Sequence, residues 1–142
     1  MTGHRKALRA AARAALAADA RIGAFTGVLA WARAVEEDEL PAYTVFIPRD
    51  PSGLAAQDTM ERRTVIEVLI KRKAAAEIED DIDDDVTAIE AAVLPALLAE
   101  PYVLEADTGV AEFAQSGEGA SLIAEARCTF TVTIHTVFPN AD

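Results

Sequence analysis

Residues 125–135 read EARCTFTVTIH. Ala126, Cys128, Phe130, Val132 and Ile134 are apolar, and Glu125, Arg127, Thr129, Thr131, Thr133 and His135 fall between them. Successive strand side chains point to opposite faces, so this alternation describes a strand with one packed and one wetted face. Antiparallel sheets tolerate a wetted face, whereas parallel sheets are covered on both. The stretch therefore predicts a mainly antiparallel sheet whose other layer lies on one side.

The preceding residues supply this strand's partner. Tyr102–Gln115 and Ala120–Thr136 flank the turn SGEG at 116–119, whose two glycines permit positive φ, and together they predict a long hairpin. Cys128, on the packed side, reads as a buried structural thiol. As the single cysteine it forms no intrachain disulfide.

Further upstream, Ile78, Ile82, Val86, Ile89, Val93 and Leu97 recur at steps of three and four, which predicts a helix with one buried stripe. Its opening, EIEDDIDDD, places Glu77, Glu79, Asp80, Asp81, Asp83, Asp84 and Asp85 near the positive end of the helix dipole. Pro95 should kink or end the helix near its last turn. Before it, Glu61–Lys73 alternates as a strand that ends in KRK.

Arg49–Thr59, RDPSGLAAQDT, has little periodicity and predicts a long projecting loop. Ala42–Ile47 is apolar on nearly both sides and reads as an interior strand that stops at Pro48 and Pro51, which cannot donate ladder hydrogen bonds. A short strand is expected within Gly27–Val35, around Val28, Leu29 and Trp31. From His4 to Asp19, Leu8, Ala11, Ala12, Ala15 and Leu16 form a narrow helical stripe, and Arg5, Arg9 and Arg13 form a basic ridge on another side. The order helix, three strands, helix, two strands gives an α+β fold: a mainly antiparallel sheet, two helices on one face and a long projecting loop or hairpin.

The 142 residues suit one domain spanning 1–142, with loose termini at 1–3 and 137–142. Thirty-one alanines leave the larger apolar residues to supply most of the core. A net charge of −11 repels phosphate and anionic lipid, which argues against general nucleic-acid binding and against a membrane surface. Residues 10–18 are interrupted by Arg13 and lack the unbroken apolar run of a signal or membrane span, so the chain reads as soluble and unprocessed.

Motifs for chemistry are sparse. Asp81, Asp83 and Asp85 imitate the start of a calcium loop, but Val86 and Ala92 stand where glycine and a bidentate glutamate are required. His4 and His135 lie far apart in the chain, the first near a terminus expected to be mobile. There is no glycine-rich phosphate loop, GxSxG elbow or Cys-x-x-Cys pair. No catalytic residue, cofactor or metal site is assigned. Charge, in contrast, is segregated: residues 1–33 hold six basic residues against Asp19, a balance of +5, and the remainder carries −16. A basic first helix could face an acidic second helix on a neighbouring copy, or both could be solvated.

The succession of parts resembles the tail terminator family of long-tailed phages, the proteins like minor tail protein U of phage lambda. HRKALRAAARAALA resembles the family's alanine-rich first helix, and AVEEDELPAYTVFIPRD its acidic link, proline and strand. TVIEVLIKRK, EIEDDIDDDVTAIEAAVLPALL and ARCTFTVTIHT resemble the strand after the long loop, the acidic-capped helix with a late proline, and the last strand. The resemblance runs from about Lys6 to Thr136. It implies a non-enzymatic structural virion protein of a phage, prophage or gene-transfer agent, made in the host cytoplasm. Such a protein forms a ring, usually of six copies, that caps the tail tube at its head-proximal end. The implied partners are tail tube protein, a head-completion or connector protein, and further copies of the chain, with no sequence-specific nucleic-acid contact.

On that resemblance, tube or neck contact is assigned to Arg49, Asp50, Leu54 and Asp58 of the projecting segment and to Ser116, Gly117 and Glu118 of the hairpin tip. Lateral contact between copies is assigned to Arg5, Arg9 and Arg13 against Asp80, Asp81 and Asp84. Two other readings stand beside it: another neck component, such as a head-tail connector or head-completion protein, and a small ligand-binding or enzymatic α+β domain.

Overall fold

In the computed structural model the described residues are 3–29, 39–73, 75–116 and 122–137. Chain order is α1 (His4–Ala18), a 3-10 turn (Ile22–Ala24), β1 (Thr26–Gly27), β2 (Ala42–Arg49), β3 (Ser52–Ala56), β4 (Thr59–Lys73), α2 (Ile78–Leu98), β5 (Val103–Ser116) and β6 (Ile123–Val137). The strands form one sheet in the order β1-β2-β4-β6-β5, with β3 paired to the start of β4. Every pairing is antiparallel except the two-residue β1–β2 contact. The α+β reading holds.

β4 and β6 form the spine, in register from Thr59↔Val137 to Lys73↔Ile123. Their alternation places Ile66, Val68 and Ile70 beside Phe130, Cys128 and Ala126 on one face, all at most 2% exposed. Val45 of β2 extends the same layer. Leu8, Ala12 and Leu16 of α1 and Ile82, Val86, Ile89, Val93 and Leu97 of α2 complete the core. Each fully buried Leu, Ile or Phe contributes about 1.5–3 kcal/mol relative to exposure, so this two-layer contact dominates stability.

Local sequence explains the helix limits. Alanine gives α1 high intrinsic helicity, and its stripe is narrow enough to lie close to α2. After Ala18 the chain leaves the helix, and Asp19 Oδ2 accepts hydrogen bonds from the Arg21 and Ile22 amides, both at 2.9 Å, which begins the 3-10 turn. In α2, Glu79, Asp80 and Asp81 occupy the first turn, where carboxylates complement the unpaired amides. Pro95 sits inside α2, one turn from its end, and its carbonyl accepts the Ala99 amide at 3.0 Å.

Four expectations need correction. β2 does not stop at Pro48 but continues to Arg49, with a register shift between Phe46 and Arg49 that accommodates the missing donor. Nor, among the described residues, is β2 interior along its length, because β1 covers it only at Ala42 and Tyr43. The segment 49–59 is not an aperiodic loop: Ser52–Ala56 pairs with Met60–Arg62 and Thr59, leaving a short turn at Gln57–Asp58. Its pairing escapes the sequence because all five β3 residues are exposed, so no apolar alternation marks them. Finally, the strand expected within Gly27–Val35 is, among the described residues, only Thr26–Gly27, and it ends before Val28 and Leu29. Residues 30–38, with Trp31, lie outside the described residues, as do 117–121, which include the last three residues of the SGEG turn.

Candidate functional site

Two carboxylates that the sequence presents as surface charge instead join elements. Asp85 lies at three residues from Ile82 and four from Ile89, hence on the buried stripe of α2, and has no solvent exposure. Arg72, at the end of β4, reaches it through Nε at 2.5 Å and Nη2 at 3.0 Å. Arg21 Nε donates to the same carboxylate at 2.6 Å, and its Nη2 donates to the Asp81 carbonyl at 3.1 Å. The Arg72 guanidinium also lies 4.9 Å from the centre of the Phe25 ring. The hydrogen bonds to Asp85 hold Arg72 above its ordinary pKa, against the opposing effect of burial. The position of Asp85 on the Ile82–Ile89 stripe is the sequence signal that identifies this junction.

Asp50 makes the second junction. Its side chain, 8% exposed, accepts from Thr64 Oγ1 at 2.6 Å and Arg5 Nη1 at 2.9 Å and pairs with His4 Nε2 at 2.7 Å. Burial opposes its ionisation, but the Thr64, His4 and Arg5 contacts prevail and its pKa falls below the ordinary value. The cluster ties the N-terminus of α1 to the point where β2 passes into β3, which sets the direction of the β3–β4 hairpin.

The residues assigned from sequence are thus split between internal and free positions. Asp50 and Arg5 bind each other, although the sequence assigns them to different surfaces. Arg13 Nη2 donates to the Val45 carbonyl at 3.1 Å, and Asp81 lies 3.8 Å from Arg21. Among the described residues, no ion pair joins Arg5, Arg9 or Arg13 to Asp80, Asp81 or Asp84 within the chain. Asp80 and Asp84 are exposed and Arg9 is half-buried. On the projecting hairpin, Leu54 is 71% exposed and Asp58 Oδ1 accepts from Thr59 Oγ1 at 3.2 Å. Arg49 is exposed at the hairpin's base. Ser116 ends β5, and Gly117 and Glu118 lie outside the described residues.

The remaining surface is polar sheet and open strand edge. On the face away from the helices, Arg127 meets Glu67 at 3.4 Å, Lys71 meets Glu125 at 3.8 Å, and Glu61 meets Arg63 at 3.1 Å and His135 at 3.3 Å. The two histidines therefore serve separate carboxylates. Exposed cross-strand pairs of this kind fix register more than they add stability. β5 is an edge strand with Leu104, Val110 and Phe113 exposed, a feature the sequence reading missed. A groove of about 440 Å³ lies between its end and the start of α2, floored by Ile78, Ile82 and Ala124 and rimmed by Glu79, Asp83 and Glu125. Among the described residues no three His, Cys, Asp or Glu side chains converge as metal ligands would, and no helix is long and apolar enough to cross a membrane.

No protein-family model matches the chain, and no curated protein matches it. Among solved structures, the fold is similar to a chain from the virion of a native gene transfer agent particle, with a TM-score of 0.59 and 18% sequence identity. The similarity covers 95% of this chain and 99% of that one, so the two share a fold from end to end.

Proposed function

We propose that the protein is a structural virion component, a tail terminator that forms a ring, usually of six copies, on the head-proximal end of a tail tube. The observation that carries this reading is the end-to-end similarity to a virion chain of a gene transfer agent. The order of sequence segments that resembles tail terminators supports the finer role. A terminator needs two unlike faces, one that binds the last tube layer and one that refuses another. The β3–β4 hairpin suits the binding face, since its tip carries Leu54 and Asp58 clear of the core while Asp50 anchors its base. Ser116, Gly117 and Glu118 are the second candidate for tube or neck contact. Arg9, Asp80 and Asp84 remain available at the lateral rim.

Mixing the protein with polymerising tail tube protein tests the role. The expected result is shorter tubes carrying this protein at one end, and an unchanged length distribution overturns it. Electron microscopy of labelled particles separates the terminator from a connector or head-completion protein, because only the terminator touches tube protein directly.

A further inference from the structure

We infer that copies of this chain join through their sheet edges, the outer edge of β5 in one copy pairing antiparallel with the outer edge of β2 in the next, with Asp107 set against Arg49. The inference deepens the ring reading and rests on it.

Strand direction permits the junction. From β2 through β4 and β6 to β5 each neighbour is antiparallel, so β2 and β5, the two ends of this path, run in opposite directions. A rotated copy placed alongside therefore presents its β2 antiparallel to the first copy's β5, and the alternation continues unbroken. Among the described residues β1 covers β2 only at Ala42 and Tyr43, with one further bond from the Val28 amide to the Tyr43 carbonyl. Among the described residues no strand lies against β2 from Thr44 onward; Arg13 Nη2 holds the Val45 carbonyl on that edge at 3.1 Å, and the seam would displace it.

Register supplies the pairing. Arg49 opposes Val65, Val65 opposes Thr131, and Thr131 opposes Asp107, so Arg49 and Asp107 occupy the two ends of one row on one face. With copies level, that row continues from Asp107 into the next copy's Arg49. Both are exposed, and among the described residues neither has an ion-pair partner. Two more rows fit. Phe46 opposes Glu67 and then Thr129, against which β5 bulges at Gly109 and Val110. Thr44 leads through Leu69 and Arg127 to Glu112. The seam would thus place Asp107 by Arg49, Val110 by Phe46, and Glu112 by Thr44.

Charge selects a second copy's β2 edge over its β5 edge. β5 carries exposed Glu105, Asp107 and Glu112 and no basic residue, so pairing β5 with β5 sets carboxylates against carboxylates in a chain of net charge −11. Along Ala42–Ala56 the charged residues are Arg49 and Asp50, and Asp50 is turned inward to Thr64 and His4. Along that stretch the outward charge is therefore Arg49 alone. Charge, bulges and brevity commonly protect natural edge strands; β5 is 14 residues long and exposes Leu104, Val110 and Phe113, while its carboxylates and its bulge at Gly109 and Val110 disfavour pairing with another β5. A contact between unlike edges is head-to-tail, and it closes into a ring when the rotation between copies divides a full turn.

The test uses full-length Arg49→Asp and Asp107→Arg, separately and mixed, read by native mass spectrometry and sedimentation at low salt. Each variant alone should lose its closed oligomer by about tenfold or more, from like charges at every seam. An equimolar mixture should restore it. With the two variants alternating, one seam joins the unaltered Asp107 and Arg49 and the next joins the two substituted side chains, again of opposite sign. Recovery also shows that both variants fold. In the Arg49→Cys, Asp107→Cys double variant, mild oxidation should give a disulfide ladder ending at the ring. Undiminished oligomers in both single variants, no recovery on mixing, or no ladder overturns the seam. If any of these results is obtained while the unaltered chain still forms rings and shortens tubes, the seam alone is lost and the terminator reading stands. If the unaltered chain neither closes nor caps tubes, both fall.

Discussion

Asp85 of α2 accepts two hydrogen bonds from Arg72 of β4, at 2.5 and 3.0 Å, at a site with no solvent exposure of the carboxylate. Arg72 is 20% exposed and Arg21, the third member, 36%. The sheet, α2 and the 3-10 turn thus meet on one buried charge. Such a pair adds little net stability over an apolar substitute, but removal of one member leaves an uncompensated charge. Its role is to fix how α2 lies across β4.

Asp85→Ala should therefore lower unfolding free energy by about 3–5 kcal/mol, the cost of leaving Arg72 unpaired. Arg21→Ala should cost only about 1 kcal/mol, because Arg72 still satisfies both carboxylate oxygens. Urea midpoints for the two variants check the order, and equal losses would contradict this division of roles.

Acid should weaken the Asp50 junction. Its folded pKa lies below the ordinary value of 3.8, so its ionised form contributes stability that is complete above that value and is lost as pH falls through the lower folded one. Asp50→Asn should cost about 2 kcal/mol near neutral pH, where a charged hydrogen-bond acceptor is removed, and less at pH 3. Urea unfolding of both forms at pH 7, 5 and 3 gives the difference directly, and a penalty that grows toward acid would reverse the assignment.

Cys128 should be chemically silent in the folded protein. Burial first, and then the charges of Glu90 and Asp85, push its thiol up to about 12, and it is 2% exposed. Reaction requires the thiolate and access, so a disulfide reagent at pH 8 should modify it only at the rate of unfolding. Rapid stoichiometric labelling without denaturant would show the packed face to be open.

Leu54→Glu tests the projecting hairpin apart from stability. Leu54 is 71% exposed, so the substitution should shift unfolding free energy by no more than about 0.5 kcal/mol. Binding to tube ends should fall by at least tenfold if its apolar side chain enters the contact, as loss of about 1.4 kcal/mol would give. Co-sedimentation with tubes reads this, and unchanged binding removes the hairpin tip from the tube face.

The two histidines illustrate how far chain position misleads. His4 lies beside a terminus that the sequence predicts to be mobile, yet it is held at 2.7 Å from Asp50, which lies 46 residues away. Asp85 belongs to a run of carboxylates in which composition cannot single it out. Its spacing from Ile82 and Ile89 could, because helical period alone puts position 85 on the packed stripe. β3 offered no such clue, since strands exposed on both faces lack alternation.

What the sequence determined by itself was the class of fold and the packed face of α1, α2, β4 and β6. Periods of 2 and of 3.6 are local properties, and they settled β4, α2, β6 and the packed face that holds Cys128 and Phe130. Only the tertiary structure decided which strands are edges, which charges are internal and which are free. Those depend on pairing across tens of residues: Arg49 and Asp107 share a row only because β4 and β6 lie between them. No local pattern encodes that row, because long-range register is fixed by the whole sheet at once.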